Sequence, residues 1–184
     1  MRHLRTLAPW IAYPAAAGFF GWRTGAIVAL GVTVVGLGRD GRAAASDTFR
    51  AAALVFFGAL TTVALVDPTT ALHRFVPALI PAALAVAATV SIASGHPFTV
   101  TFAKRVAPRE YWDTPLFAHI NLVLSAVWAA SFAVTAVVVA IALDLAPHAT
   151  TIILATQIVA FVVPMRITRS YPARARARYA GARA

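Results

Sequence analysis

Six apolar runs, parted by short polar or basic stretches, organise this chain: about Leu7 to Trp22, Thr24 to Leu37, Phe49 to Val66, Val76 to Ala93, Pro115 to Leu143 and Thr150 to Met165. A helix rising 1.5 Å per residue needs about 20 apolar residues to cross ~30 Å of hydrocarbon. The fifth run is the longest, whereas the first two and the sixth are short of that length. The first two therefore read as a tight hairpin. One tilted helix over Leu7 to Leu37 is the alternative, and it would leave Arg23 in lipid beside a break at Gly21-Trp22-Arg23, which is expensive. The third run stops at Asp67-Pro68, because proline disfavours a helical residue before it. Pro77 marks the start of the fourth run and Pro81 a kink. Asp113 or Thr114 is placed to cap the fifth, with Pro115 presetting φ in its first turn. The pattern predicts an all-α, polytopic membrane helical bundle of about six transmembrane helices over residues 1–165, followed by a basic, disordered tail over 166–184.

Charge placement orients that bundle. Fourteen of the sixteen Lys and Arg residues lie at the N-terminus (Arg2, Arg5), in the second connection (Arg39, Arg42, Arg50), in the fourth (Lys104, Arg105, Arg109) and in the tail (Arg166, Arg169, Arg174, Arg176, Arg178, Arg183). The other two, Arg23 and Arg74, fall on the opposite side. Cytoplasmic loops retain Lys and Arg, so six spans with both termini inside are expected. With 60% hydrophobic and 12% charged residues the chain lacks the surface of a soluble domain, which is about a quarter charged. Its net charge of +10 is split among loops and tail, so no nucleic-acid partner is expected. Anionic lipid headgroups are the expected partner of the Arg-rich tail. The absence of cysteine excludes disulfides and thiolate chemistry. The first 20 residues imitate a secretory signal, but their two prolines and the five later runs favour a retained first span.

Polar residues inside spans are where function concentrates in membranes. Asn121, Ser125, Trp128 and Phe132 fall on one stripe of the fifth helix, at i, i+4, i+7 and i+11. An inward stripe would let Asn121 bond a neighbouring helix, either as packing glue or as the wall of a small polar cavity. Gln157 and Thr61 are the candidates to complete either arrangement. Ala17, Gly21 and Gly25 have the spacing of close helix packing in the first hairpin. In the fourth connection Phe98, Phe102 and Val106 recur at i, i+4 and i+8, with Thr99, Lys104 and Arg105 elsewhere round the helix, which predicts an amphipathic cytoplasmic segment in the interface. Tyr111 and Trp112 would sit at the aromatic belt. His96, Glu110 and Asp113 offer the sharper reading of that loop as a docking or catalytic element.

Enzyme signatures fail. His3, His73, His96, His119 and His148 lie in loops or at span ends, so no pair is placed for transmembrane haem ligation. No H-E-x-x-H, G-x-S-x-G or P-loop occurs, and six acidic residues leave little for acid-base work. No catalytic residue, metal or cofactor is expected.

Phe57-Gly58-Ala59-Leu60-Thr61, Asp67-Pro68-Thr69, Pro77, Gly95-His96-Pro97, Trp112, Asn121-Leu122, Trp128 and Phe132 follow one another in an order that resembles the intracellular septation protein A (YciB-type) family of small bacterial inner-membrane proteins. The likeness extends from about Tyr13 to Val163, with Val76 and His96 where that family typically has lysine. It implies a multispanning, non-enzymatic envelope protein of the bacterial cytoplasmic (inner) membrane, associated with division and wall synthesis. Two functions are thus expected: a scaffold contacting other membrane proteins, itself open to homo-oligomerisation, or a small carrier or lipid-handling protein with a polar cavity lined by the fifth and sixth helices.

Overall fold

A computed structural model describes residues 4–40, 48–146 and 150–181. Arg2, Arg42 and Arg183 of the charge pattern, with His3 and His148, lie outside the described residues. Those described are helical, without a strand. The main helices are α1 (Leu4–Phe20), α2 (Trp22–Asp40), α3 (Thr48–Val66), α4 (Val76–Ala93), the short α5 (Thr99–Ala103), α6 (Pro115–Leu145) and α7 (Thr150–Gly181). Four helical stretches among them are long and apolar enough to cross a membrane: Thr48–Val66, Ala71–Ala93, Pro115–Leu145 and Thr150–Tyr179. The first hairpin is not of that kind, since α1 has 17 residues and the apolar part of α2 lies between Arg23 and Arg39.

The chain divides into two compact units, Met1–Ala87 and Ala88–Ala184, and the boundary falls within α4. In the first unit α1 and α2 turn back on each other at Gly21, whose φ of +85° suits a residue without Cβ. Gly25 then lies so close to α1 that a Cβ there would stand 2.8 Å from Ala17 Cβ and 3.0 Å from the Tyr13 carbonyl. The small-residue spacing is therefore used by Ala17 and Gly25, while Gly21 makes the turn. Trp10 and Tyr13 of α1 meet Phe57 of α3 at 5.1 and 5.9 Å between ring centres, the first ring tilted and the second stacked. Around them Ala26, Ala29, Ala53, Leu60 and Val76 close the core. Arg50, expected as a solvated loop cation, is buried: it donates from Nε to Thr6 Oγ1 at 3.4 Å and from Nη1 to the Gly36 carbonyl at 3.3 Å, tying the ends of three helices.

Helix ends follow local chemistry. Asp67 Oδ1 accepts from the Thr69 N–H and hydroxyl beyond the end of α3, and a short 3₁₀ turn, Ala71–Phe75, leads into α4 at Val76. Thr114, rather than Asp113, caps α6: its Oγ1 accepts from the Phe117 N–H at 3.2 Å, with Pro115 next in sequence. At the far end of the chain the expected disordered tail differs from what is found. Helix α7 continues past Met165 and Pro172 to Gly181. Alanine and arginine are among the best helix formers, and Thr168, Tyr171 and Ala175 are half-buried along one side.

Candidate functional site

In the second unit the polar stripe of α6 points inward. Asn121 and Ser125 are fully buried, and Trp128 and Phe132 are half-buried. The group that meets the stripe comes from the preceding loop, not from another long helix. Ser91, near the end of α4, accepts the Phe98 N–H on its Oγ at 3.3 Å, and Gly95 at φ +75° turns the chain. That brings Thr99, the first residue of α5, against α6. Thr99 Oγ1 donates to the Asn121 carbonyl at 2.8 Å and lies 2.9 Å from Ser125 Oγ, which also accepts the Thr99 N–H at 3.4 Å. With the Thr99 proton on the carbonyl, the Ser125 hydroxyl is the donor between the two oxygens. Three polar residues thus form a closed latch between loop and helix.

The Asn121 side chain does not bond a neighbouring helix as expected. Its Nδ2 donates to the Phe117 carbonyl one turn back at 2.8 Å, and its Oδ1 is buried without a hydrogen-bond partner among the described residues. Asn121→Leu therefore removes no interhelical bond and relieves an unsatisfied oxygen. It should cost under about 1 kcal/mol, because the penalty in such cases comes from orphaned groups more than from the bond itself. Thermal melts in detergent check this, and a loss above about 2 kcal/mol would mean that Oδ1 has a partner.

One turn and more along, Trp128 Nε1 donates to Thr168 Oγ1 at 3.1 Å and Ser131 Oγ to the Ala160 carbonyl at 2.7 Å. The Trp128 ring meets Phe132 and Phe161 at 5.5 and 5.6 Å. These contacts fix an antiparallel register in which Gln157 lies beyond Ser131, some 13 residues and about 20 Å along α6 from Asn121. Gln157 is exposed there and does not join the stripe. Thr61 belongs to the first unit, buried in α3 with no partner for its hydroxyl among the described residues. A groove of about 610 Å³ does run between α6 and α7, but its polar residues are Ser131, Thr135 and Thr156.

The loop itself is built differently from an amphipathic helix. Helix α5 ends at Ala103, so the stripe of Phe98, Phe102 and Val106 is cut short: the two rings meet edge to face at 6.4 Å, and Val106 lies off the helix, 87% exposed. Polar Thr99 is the buried anchor. Trp112 organises the rest, donating from Nε1 to the Ala107 carbonyl at 3.0 Å and holding Lys104 Nζ and the Arg109 guanidinium 5.0 and 5.6 Å from its ring centre. Arg105 and His96 are exposed, with His96 Nδ1 2.7 Å from the Ser94 carbonyl. Among the described residues no three His, Asp or Glu side chains are grouped to hold a metal ion.

No family model, curated protein or solved structure matches this chain. Its function is therefore read from its own geometry. Thr99 is the residue that pattern reasoning misplaced, since a threonine between two aromatics on a short segment reads as the polar side of an interfacial helix.

Proposed function

We propose that the protein is a multispanning scaffold of the bacterial inner membrane, with six spans, both termini cytoplasmic, and the latched loop presented to partner membrane proteins. The observation that carries this reading is the occupation of the α6 stripe by Thr99: the buried polar groups hold the protein's own loop instead of lining a cavity. A second fact supports it. Only 6% of the most apolar stretch of α7 is buried within the chain, against 39% for α3, which leaves the sides of α7 free for lipid or another protein. For the process, division and envelope synthesis, the support is the resemblance of the motif order to septation proteins alone, and no catalytic step is assigned.

Depth in the bilayer follows from the α6–α7 register. Arg166 and Arg169 flank Thr168, the partner of Trp128, and charge belongs at the membrane edge where a tryptophan also prefers to sit. The stretch from Ala126 to Leu145 then rises about 30 Å, the thickness of the hydrocarbon. Asn121, Ser125 and Thr99 fall at the headgroup boundary, about where a loop is mounted and away from the mid-depth position a carrier site needs. Reporter fusions at Asp67 and Asp144 should both read the exterior; a cytoplasmic signal from either would overturn the six-span arrangement.

The runner-up is lipid handling in the α6–α7 groove, favoured by its volume and by hydroxyls on an apolar wall. Crosslinking and co-purification of Thr99→Val separate the two. A scaffold should lose partners when the loop is unlatched, whereas an unchanged partner set with normal physiology would move the assignment to the groove.

A further inference from the structure

The α7 helix carries five exposed arginines past the membrane edge. Arg166, Arg169, Arg174, Arg176 and Arg178 are all exposed, while Thr168, Tyr171 and Ala175 between them are half-buried. No acidic residue occurs from Thr150 to the end of the chain, and none of the five arginines forms an ion pair among the described residues. Arg174 and Arg178 stand one turn apart, a like-charge pairing that opposes the helix and that an external acid would relieve.

Height separates the ligand classes. With Arg166 at the hydrocarbon edge, Arg174 to Arg178 lie 8–12 residues farther along a helix, about 12–18 Å out. The polar layer of one leaflet is only about 5–8 Å deep. Arg176 and Arg178 are thus beyond contact with headgroups of the bilayer that α7 crosses, whereas Arg166 and Arg169, and Arg174 through its long side chain, reach them. Nucleic acid fits less well, because single strands are held by aromatic stacking as well as by charge and the one aromatic between Arg166 and Arg178, Tyr171, is half-buried.

We propose that this extension is a docking surface for an acidic segment of a protein in the aqueous phase beside the membrane. The inference rests on the scaffold reading and gives one of its partners a chemistry: a run of Asp and Glu side chains, recognised by bidentate guanidinium contacts and therefore sensitive to salt.

The test uses the full chain in phosphatidylcholine nanodiscs and a fluorescein-labelled 20-residue poly-glutamate probe, read by anisotropy at low and high salt. The probe should bind, and Arg174→Gln, Arg176→Gln and Arg178→Gln combined should weaken binding about tenfold or more, with the lysine triple variant retaining most of the affinity. Unchanged thermal melting of the glutamine variant would show that the loss is not unfolding. Because the chain has no cysteine, a single Arg178→Cys spin label reports height directly. In phosphatidylglycerol nanodiscs it should be reached by a water-soluble nickel reagent more readily than the same label at Arg166→Cys. Equal depth of the two labels would mean that the extension lies on the lipid, and would overturn the proposal. So would a probe that fails to bind wild type, one that binds the glutamine variant undiminished, or an oligothymidylate of matched charge that binds more tightly. Partners that still co-purify after such a failure would leave the scaffold reading standing without this surface.

Discussion

Replacing Gly25 by leucine is expected to prevent the first hairpin from closing and to cost about 3 kcal/mol or more. Any Cβ at this position meets Ala17 Cβ at 2.8 Å, the Tyr13 carbonyl at 3.0 Å and the Ala17 backbone nitrogen at 3.1 Å, and two of those three atoms are backbone. Backbone cannot rotate out of the way as the end of a side chain can, so α1 and α2 would have to separate. Separation would also disturb the ring contacts of Trp10 and Tyr13 with Phe57, which position α3. Overpacking of a tight core costs typically 1–3 kcal/mol, and a leucine driven into a helix crossing belongs at or above the top of that range. Gly31 on the same helix has open space around it, so Gly31→Leu should be nearly neutral. Thermal stability of the two variants in detergent checks the claim. Equal behaviour would mean that the close approach at Gly25 does not exist.

Thr99→Val is expected to destabilise the latch by about 2 kcal/mol while leaving the long helices folded. Valine keeps the shape and removes the hydroxyl, so the bond to the Asn121 carbonyl is lost and the Ser125 hydroxyl loses its acceptor in a fully buried place. Leaving a buried polar group unsatisfied costs about 1–3 kcal/mol. Interhelical bonds in membrane proteins average nearer 0.6 kcal/mol, which sets the lower bound if water enters at the headgroup level. Because the bonds join a five-residue helix to α6, the cost should appear as local opening. Trypsin cleavage after Lys104 and Arg105 should speed up about tenfold or more, a factor corresponding to ~1.4 kcal/mol, with Thr99→Ser close to wild type. Cleavage that does not change would show that the loop is held by something other than Thr99.

Much of this architecture is legible in residue order because it is decided locally. Asp67-Pro68 ends a helix, Thr114-Pro115 begins one, and Val76-Pro77 begins another, since capping and the geometry of proline involve only neighbours in sequence. The apolar runs give the helices themselves, and Gly21 gives the turn between the first two. Spacing likewise tells that Asn121 and Ser125 share a face and that this face turns inward. It does not tell what meets them. That Thr99 closes the stripe, that Asn121 bends back to Phe117, that Gln157 stays well away and that Arg50 is buried under three helix ends depend on the register of elements tens of residues apart. Such register is set by the summed packing of whole helix faces, which for α6 and α7 is marked by Ser131 on Ala160 and Trp128 on Thr168. The same packing decides the end of the chain. Its Ala-Arg composition permits a helix, but only the half-buried side along Thr168, Tyr171 and Ala175 offsets the repulsion of five arginines and holds α7 together to Gly181.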